Sequence, residues 1–169
     1  MRFLCTLSSM NKTPLSLILY QTEIAQNMGA MARTCAAFGV SMHVVEPLGF
    51  IWNEPKMRRA GMDYLHQVDL HRHLSFDKFI QKKPKTSRLV VMTKFAETEL
   101  QNFVFEEGDM LLMGRESTGV DEGVLDVADA LVKIPMLPEA RSLNVAQSAG
   151  MATFEALKQI NKLPSGEAK

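Results

Sequence analysis

Apolar residues along this chain fall in two rhythms. Short, nearly unbroken runs recur at Leu15–Tyr20, Met42–Glu46, Arg88–Met92, Asp109–Met113 and Leu131–Ile134. Runs of this length without polar alternation mark strands buried on both faces, as in parallel sheets. Between them the apolar positions spread to helical spacing. Met28, Met31, Ala32 and Cys35 stand at i, i+3, i+4 and i+7, the stripe that a helix turns toward a core. Asn27 reads as the N-cap of that helix, and Gly39 closes it after Phe38. Ser75–Gln81 and Asp121–Val127 read as further helices. Asn53 and Pro55 open a short one that exposes Lys56, Arg58 and Arg59 before Gly61. The last helix follows Asn144, an N-cap with Gln147 three residues on in the capping-box position.

Strands alternating with helices predict an α/β fold, a mostly parallel sheet with helices on both faces. No repeat, linker or low-complexity tract divides the chain, so residues 13–163 read as a single domain. Residues 1–12 read as a flexible N-terminal tail, with Met10 resembling a second start, and 164–169 as a C-terminal tail. The 169 residues suffice for a sizeable core.

Composition narrows the setting more than the function. With 46% apolar and 22% charged residues, the chain looks like an ordinary globular protein. Cys5 and Cys35 are far apart and no secretory signal precedes them, which fits a reduced, cytoplasmic protein. No apolar run reaches membrane-spanning length, so no membrane partner is expected. A net charge of zero argues against a general nucleic-acid coat, and no DNA partner is expected. The charge is uneven, however. Lys56–Lys94 holds ten Lys or Arg against three Asp or Glu, while Glu97–Glu139 holds two against eleven. A basic segment folded onto one face would hold phosphates; an unevenly charged, solvated surface accounts for the counts equally well. His66, His71 and His73 match no zinc spacing and have no cysteine near them, so no metal is expected.

The chemistry gathers in the loops after Met92, Met113 and Ile134, which are rich in small residues and carry Arg115, Glu116, Ser142 and Asn144. Gly114 and Gly119 have phosphate-loop spacing, but Val120 stands where the lysine belongs. No Gly-x-Gly-x-x-Gly follows a strand, and no Gly-x-Ser-x-Gly elbow is present. Such loops suit a medium-sized organic cofactor held through backbone groups. Arg33 lies one turn beyond Gly29 and leans back toward the helix start beside Asn27, a pattern that suits an anion such as phosphate. The small residues Ala146, Ala149, Gly150, Ala152, Thr153 and Ala156 suggest close packing of the last helix, with Gly150 pointing to an approaching backbone.

Three of these motifs together resemble the signatures of SPOUT RNA ribose methyltransferases: Asn27-x-Gly29-Ala-x-x-Arg33, Gly114-Arg-Glu-x-x-Gly119, and Ile134-Pro-Met136 with Ser142-Leu-Asn144. Glu46-Pro-Leu-Gly-Phe50 and Arg58-Arg-Ala-Gly-Met-Asp-Tyr64 bring the chain nearest to the single-domain family that 2′-O-methylates the wobble cytidine or uridine of leucine tRNAs. The resemblance spans about Leu15 to Leu163. It implies S-adenosyl-L-methionine as methyl donor, a tRNA substrate, a C-terminal trefoil knot and a homodimer with sites at the interface. Carried over by motif, Met92, Gly114, Ile134, Met136, Ser142 and Leu143 would bind the cofactor. Asn27, Arg33, Glu116, Ser142 and Asn144 would form the polar reaction site, with Arg33 holding a phosphate and stabilising developing charge. The chain departs from the pattern at Met28, where threonine is common, and at Gln147, where a serine-asparagine sequence is frequent. Alternative readings are the same chemistry at another tRNA or ribosomal RNA nucleotide, a non-catalytic RNA-binding dimer, and a small-molecule methyltransferase.

Overall fold

The computed structural model describes residues 13–53 and 63–165. Strands β1 (Ser16–Tyr20), β2 (Ser41–Val45), β3 (Leu70–His73), β4 (Leu89–Met92), β5 (Thr98–Glu99), β6 (Met110–Met113) and β7 (Ala130–Lys133) form one sheet in the order β3-β2-β1-β6-β4-β7-β5. Every pairing is parallel. Parallel neighbours need crossovers, and helices α1 (Ala25–Phe38), α2 (Phe76–Lys82) and α3 (Glu122–Leu125) lie along them, while α4 (Val145–Gln159) follows the last strand. The expected α/β sheet with helices on both faces is present.

Central β1 shows why its run is apolar throughout. Leu17 and Leu19 enter a core shared with Met28, Met31, Ala32 and Cys35 of α1 and with Ala149, Ala152 and Leu157 of α4. Ile18 and Tyr20, pointing the other way, meet Phe79 of α2 and Val124 of α3. The helical stripe expected in α1 is therefore buried as predicted, and burial pushes the Cys35 thiol up to about 12.

Four local expectations need correction. Helix α1 starts at Ala25 with Ile24 at its cap, so Asn27 lies inside the helix and is buried. Strand β7 ends at Lys133, one residue before Ile134. Outside its own helix turn, Gly150 has no heavy atom of the described residues within 4 Å of where a Cβ would stand, so no backbone among them crosses it. The close packing of α4 comes instead from Ala149, Ala152, Thr153 and Ala156, all buried. Finally, β3 and β5 had no apolar run to announce them. The short helix after Asn53 lies mostly outside the described residues, as do the N-terminal tail and residues 166–169.

Edge strand β3 turns its histidines into a stack. His43 of β2 is the register partner of His71, and their rings lie 4.6 Å apart, with His73 5.2 Å from His43 on the other side. His43 Nδ1 and His73 Nε2 share a hydrogen bond of 3.0 Å, and His71 Nε2 meets Asp69 at 3.1 Å. Burial, reinforced by the neighbouring histidines, pushes His43 down to about 4. These groups are remote from the loops that follow. Among the described residues no helix is long and apolar enough to cross a membrane.

Candidate active site

Because all the strands run the same way, the loops after β4, β6 and β7 open on one edge of the sheet, beside the start of α1. There they enclose a cavity of about 530 Å³. The floor is apolar: Met92, Met113, Val132 and Ile134. All six residues expected at a cofactor, Met92, Gly114, Ile134, Met136, Ser142 and Leu143, line this one cavity. Asn27, Glu116 and Asn144 line it too; Arg33 does not.

The wall after β6 is a tight hairpin. Arg115 N donates to Gly119 O at 2.8 Å and Gly119 N returns a bond to Arg115 O at 3.1 Å. A Cβ on Gly114 would sit 2.7 Å from the carbonyl carbon of Gly119, so even alanine would force the hairpin open. Gly49 serves a similar end, since a Cβ there would lie 2.5 Å from Glu23 Cα. It lets the Glu46–Phe50 segment press against the loop leading into α1, where Gly49 N donates to Thr22 O at 3.0 Å.

Polar groups along the wall form a directed chain. Asn144 Oδ1 accepts from Ala146 N and Gln147 N at 2.9 and 3.3 Å, the cap that the sequence predicted for the last helix. With its oxygen so committed, Asn144 turns Nδ2 to Asn27 Oδ1, 3.0 Å away. Asn27 in turn donates Nδ2 to Glu116 Oε1 at 2.9 Å. Glu116 also accepts from Glu23 N at 2.8 Å and Ile24 N at 3.2 Å. Each amide therefore has a forced orientation, and three segments distant in sequence are tied at one point.

This chain changes two expectations. Just ahead of α1, beside the N–H groups read as a phosphate site, the Glu116 carboxylate accepts from Glu23 N and Ile24 N. A helix N-terminus attracts an anion, and here a carboxylate of the protein itself sits next to the first turn. Arg33 stays apart from the cavity: it is exposed on α1, its guanidinium 4.8 Å above the Tyr64 ring. The structure thus brings Asn27, Glu116, Ser142 and Asn144 together and leaves Arg33 outside.

Several supporting residues gave no local signal. Glu23 clasps the hairpin from the other side, accepting from Ser117 N at 2.8 Å and Ser117 Oγ at 2.7 Å, which lowers its carboxyl below the usual range. Arg115 donates to Gln21 Oε1 at 2.7 Å and pairs with Asp121, which accepts from Tyr20 OH at 2.5 Å. Burial and the Asp121 carboxylate push the Tyr20 hydroxyl up to about 12. Arg115 therefore anchors the hairpin to β1 and α3. Phe95, 78% exposed, also lines the cavity; its place in the loop after a strand's carboxyl end was the available clue.

Comparison with known proteins follows the same segments. The model of the SpoU rRNA Methylase family matches residues 14–154. The tRNA (cytidine(34)-2′-O)-methyltransferase of Beijerinckia indica is 49% identical over 148 residues, covering 87% of this chain and 92% of that protein. The protein of the same name from Escherichia coli K12 is 32% identical, covering 86% and 94%. A solved structure described as giving "structural insights into the 2-OH methylation of C/U34 on tRNA" superposes with a TM-score of 0.81 at 46% identity, over 86% of this chain and 95% of its own.

Proposed function

The chain belongs to the SpoU rRNA Methylase family, and we propose that it methylates the ribose 2′-hydroxyl of the wobble cytidine or uridine of tRNA, with S-adenosyl-L-methionine as donor. Leucine tRNAs are the proposed substrates. The observation that carries the reading is the bonded chain Glu116–Asn27–Asn144 at the mouth of a loop-walled cavity. It unites the three motifs, and the relatives that share most of this chain's length are named for that reaction.

The cavity fits the donor by size and lining. Its volume lies in the range of small-molecule sites, its floor is apolar, and Gly114 leaves the hairpin backbone bare beside it. Met92, Gly114, Ile134, Met136, Ser142 and Leu143 would hold the donor, largely through backbone groups. When bound, it supplies a methyl carbon on a positively charged sulfur, open to in-line attack.

The polar wall serves position. Asn27 and Glu116 hold the start of α1 and the hairpin in register, which fixes Asn144 at the mouth. Exposed Ser142 offers its hydroxyl beside Asn144 for the ribose. Holding the 2′-oxygen in line supplies much of the acceleration. Glu116, with its oxygens committed to three N–H donors, acts as a positioning residue rather than a free base.

Arg33 and the oligomer belong to one proposal. Exposed and outside its own cavity, Arg33 would reach the site of a second copy in a homodimer, where its always-charged guanidinium would hold a phosphate. The outward face of α4, with Met151 and Phe154 each 47% exposed, is the proposed subunit contact. A C-terminal trefoil knot and residence in the cytoplasm, where tRNA is modified, complete the reading. The test is transfer of labelled methyl from S-adenosyl-L-methionine to unmodified total tRNA, with the modified nucleotide mapped. Label on the wobble ribose is expected; label in a base, or in no RNA, would overturn the proposal.

A further inference from the structure

One part of the cavity is unused by the chemistry above. Phe95 projects from the turn after β4 with 78% of its surface exposed, yet the turn itself is firm. Thr93 N donates to Val132 O at 2.9 Å, Ala96 N to Thr93 O at 3.2 Å, and Ala96 is buried. The turn therefore presents the ring outward at the lip of the cavity. Lys94 Nζ lies 5.2 Å from its centroid. Lys94 also lines an adjoining cleft with Lys133 and Arg141. Glu99 and Glu139 share that cleft, Glu99 accepting from Gln101 Nε2 at 2.7 Å, so the lining holds three cations against two carboxylates. Among the described residues, none of the three cations forms an ion pair. An outward aromatic face on a bonded turn, followed by cations without ion pairs among the described residues, matches single-stranded RNA, whose unstacked bases offer flat faces at intervals set by phosphates.

We propose that Phe95 is a stacking platform for a base adjoining the methylated nucleotide, and that Lys94, Lys133 and Arg141 lead the phosphates of that strand through the second cleft. The site rests on the tRNA reading above and deepens it. It assigns the path by which the anticodon strand leaves the cavity, through the cleft that shares Lys94 and Arg141 with it.

The test measures binding apart from chemistry. Fluorescence anisotropy of a labelled anticodon stem-loop is compared for wild type, Phe95→Ala, Phe95→Leu and Phe95→Trp, and calorimetry with S-adenosyl-L-methionine is run alongside. Loss of stacking should weaken RNA binding by about 5- to 100-fold in Phe95→Ala. Phe95→Trp should keep affinity, Phe95→Leu should not, and in Phe95→Ala the loss of RNA binding should exceed any change in binding of the methyl donor, whose cavity Phe95 borders. Lys133→Ala with Arg141→Ala should make the fall of affinity with salt shallower, by about 0.7 in the logarithmic slope for each phosphate left without its cation. Unchanged RNA binding in Phe95→Ala would overturn the proposal, as would a loss confined to the methyl donor. A wild-type protein that binds the stem-loop through Phe95 but methylates no tRNA would sink the functional reading and leave this surface standing.

Discussion

The inner wall of the cavity and the outward surface of α1 and α4 are built on opposite terms. Along the wall, Asn27, Glu116 and Asn144 satisfy one another, and every bond closes within one chain. On the outward surface Arg33 is exposed over Tyr64, Met151 and Phe154 stand half exposed, and Gly150 faces open space. Both regions draw on the same two helices, to which the wall adds the hairpin after β6. The difference separates residues that build a site from residues that a site in a second copy would use. A wall of satisfied polar groups is rigid before any ligand arrives, whereas an exposed arginine beside an apolar face is unfinished in a single chain.

Removing the keystone of the wall should have the largest effect. Glu116→Ala leaves Glu23 N, Ile24 N and Asn27 Nδ2 without their acceptor. The expected stability loss is about 2 kcal/mol, since these donors are only partly buried. Asn27 would lose the bond that orients its amide toward Asn144, and methyl transfer should fall by about 100-fold or more. Glu116→Gln retains the shape and one oxygen, so both losses should be smaller. Thermal unfolding and single-turnover rates check this; a stable Glu116→Ala protein with normal turnover would show that the wall is ornament.

Subunit mixing addresses the outward surface. Arg33→Ala and Gly114→Val should each be inactive as homodimers, the second because a Cβ collides with the Gly119 backbone. After exchange at equal concentrations, about half the dimers are mixed. If Arg33 serves the partner's cavity, each mixed dimer holds one intact site, and roughly a quarter of wild-type activity should return. Exchange proven by mass spectrometry with no recovered activity would return Arg33 to its own subunit.

Legibility in the sequence follows the same divide. Strands buried on both faces announced themselves as apolar runs, and the stripe Met28, Met31, Ala32 and Cys35 marked the buried face of α1. Edge strand β3 did not: Leu70-His-Arg-His73 has a neighbour on one side only and needs no such run. Asn27 was misplaced at the helix cap for a definite reason. The segment leading into α1 and the Asn27 side chain are held by Glu116, about ninety residues away, and no local pattern reports a contact of such range. The motifs identified which residues meet at the cavity, while the order of bonding through them emerged only in three dimensions. Arg33 shows the converse. Its motif gave the residue, but among the described residues it lies outside the cavity of its own chain.

The histidine stack is a control for this contrast, being polar, packed and remote from the cavity. His43 is held down to about 4 against an ordinary value of 6.5, chiefly by burial. The unfolded chain therefore takes up its proton first, and stability present above about pH 6.5 is lost progressively as pH falls toward 4. The loss should be on the order of 2 kcal/mol. Urea unfolding at about pH 7.5 and about pH 4.5, on either side of that window, measures it. His43→Phe should flatten the dependence while methyl transfer stays close to wild type. An equally steep pH dependence in that variant would assign the acid sensitivity to other groups.

Gly150 offers the smallest effect and the finest discrimination. In one chain a Cβ there meets nothing, so Gly150→Ala should simply relieve the entropic penalty of glycine in a helix, adding about 0.5–1 kcal/mol. That holds only while the face is open. If α4 packs on a second copy, the added methyl occupies space that the partner needs, and the gain should shrink or reverse as the dimer forms. Unfolding midpoints measured across a wide range of protein concentration separate the cases. The expected result is a gain at high dilution that disappears on concentration, together with weaker self-association in sedimentation. A gain independent of concentration would place Gly150 in solvent and move the subunit contact to another surface. Arg33 would then need a different route to a second cavity, and the mixing experiment would be judged against that geometry.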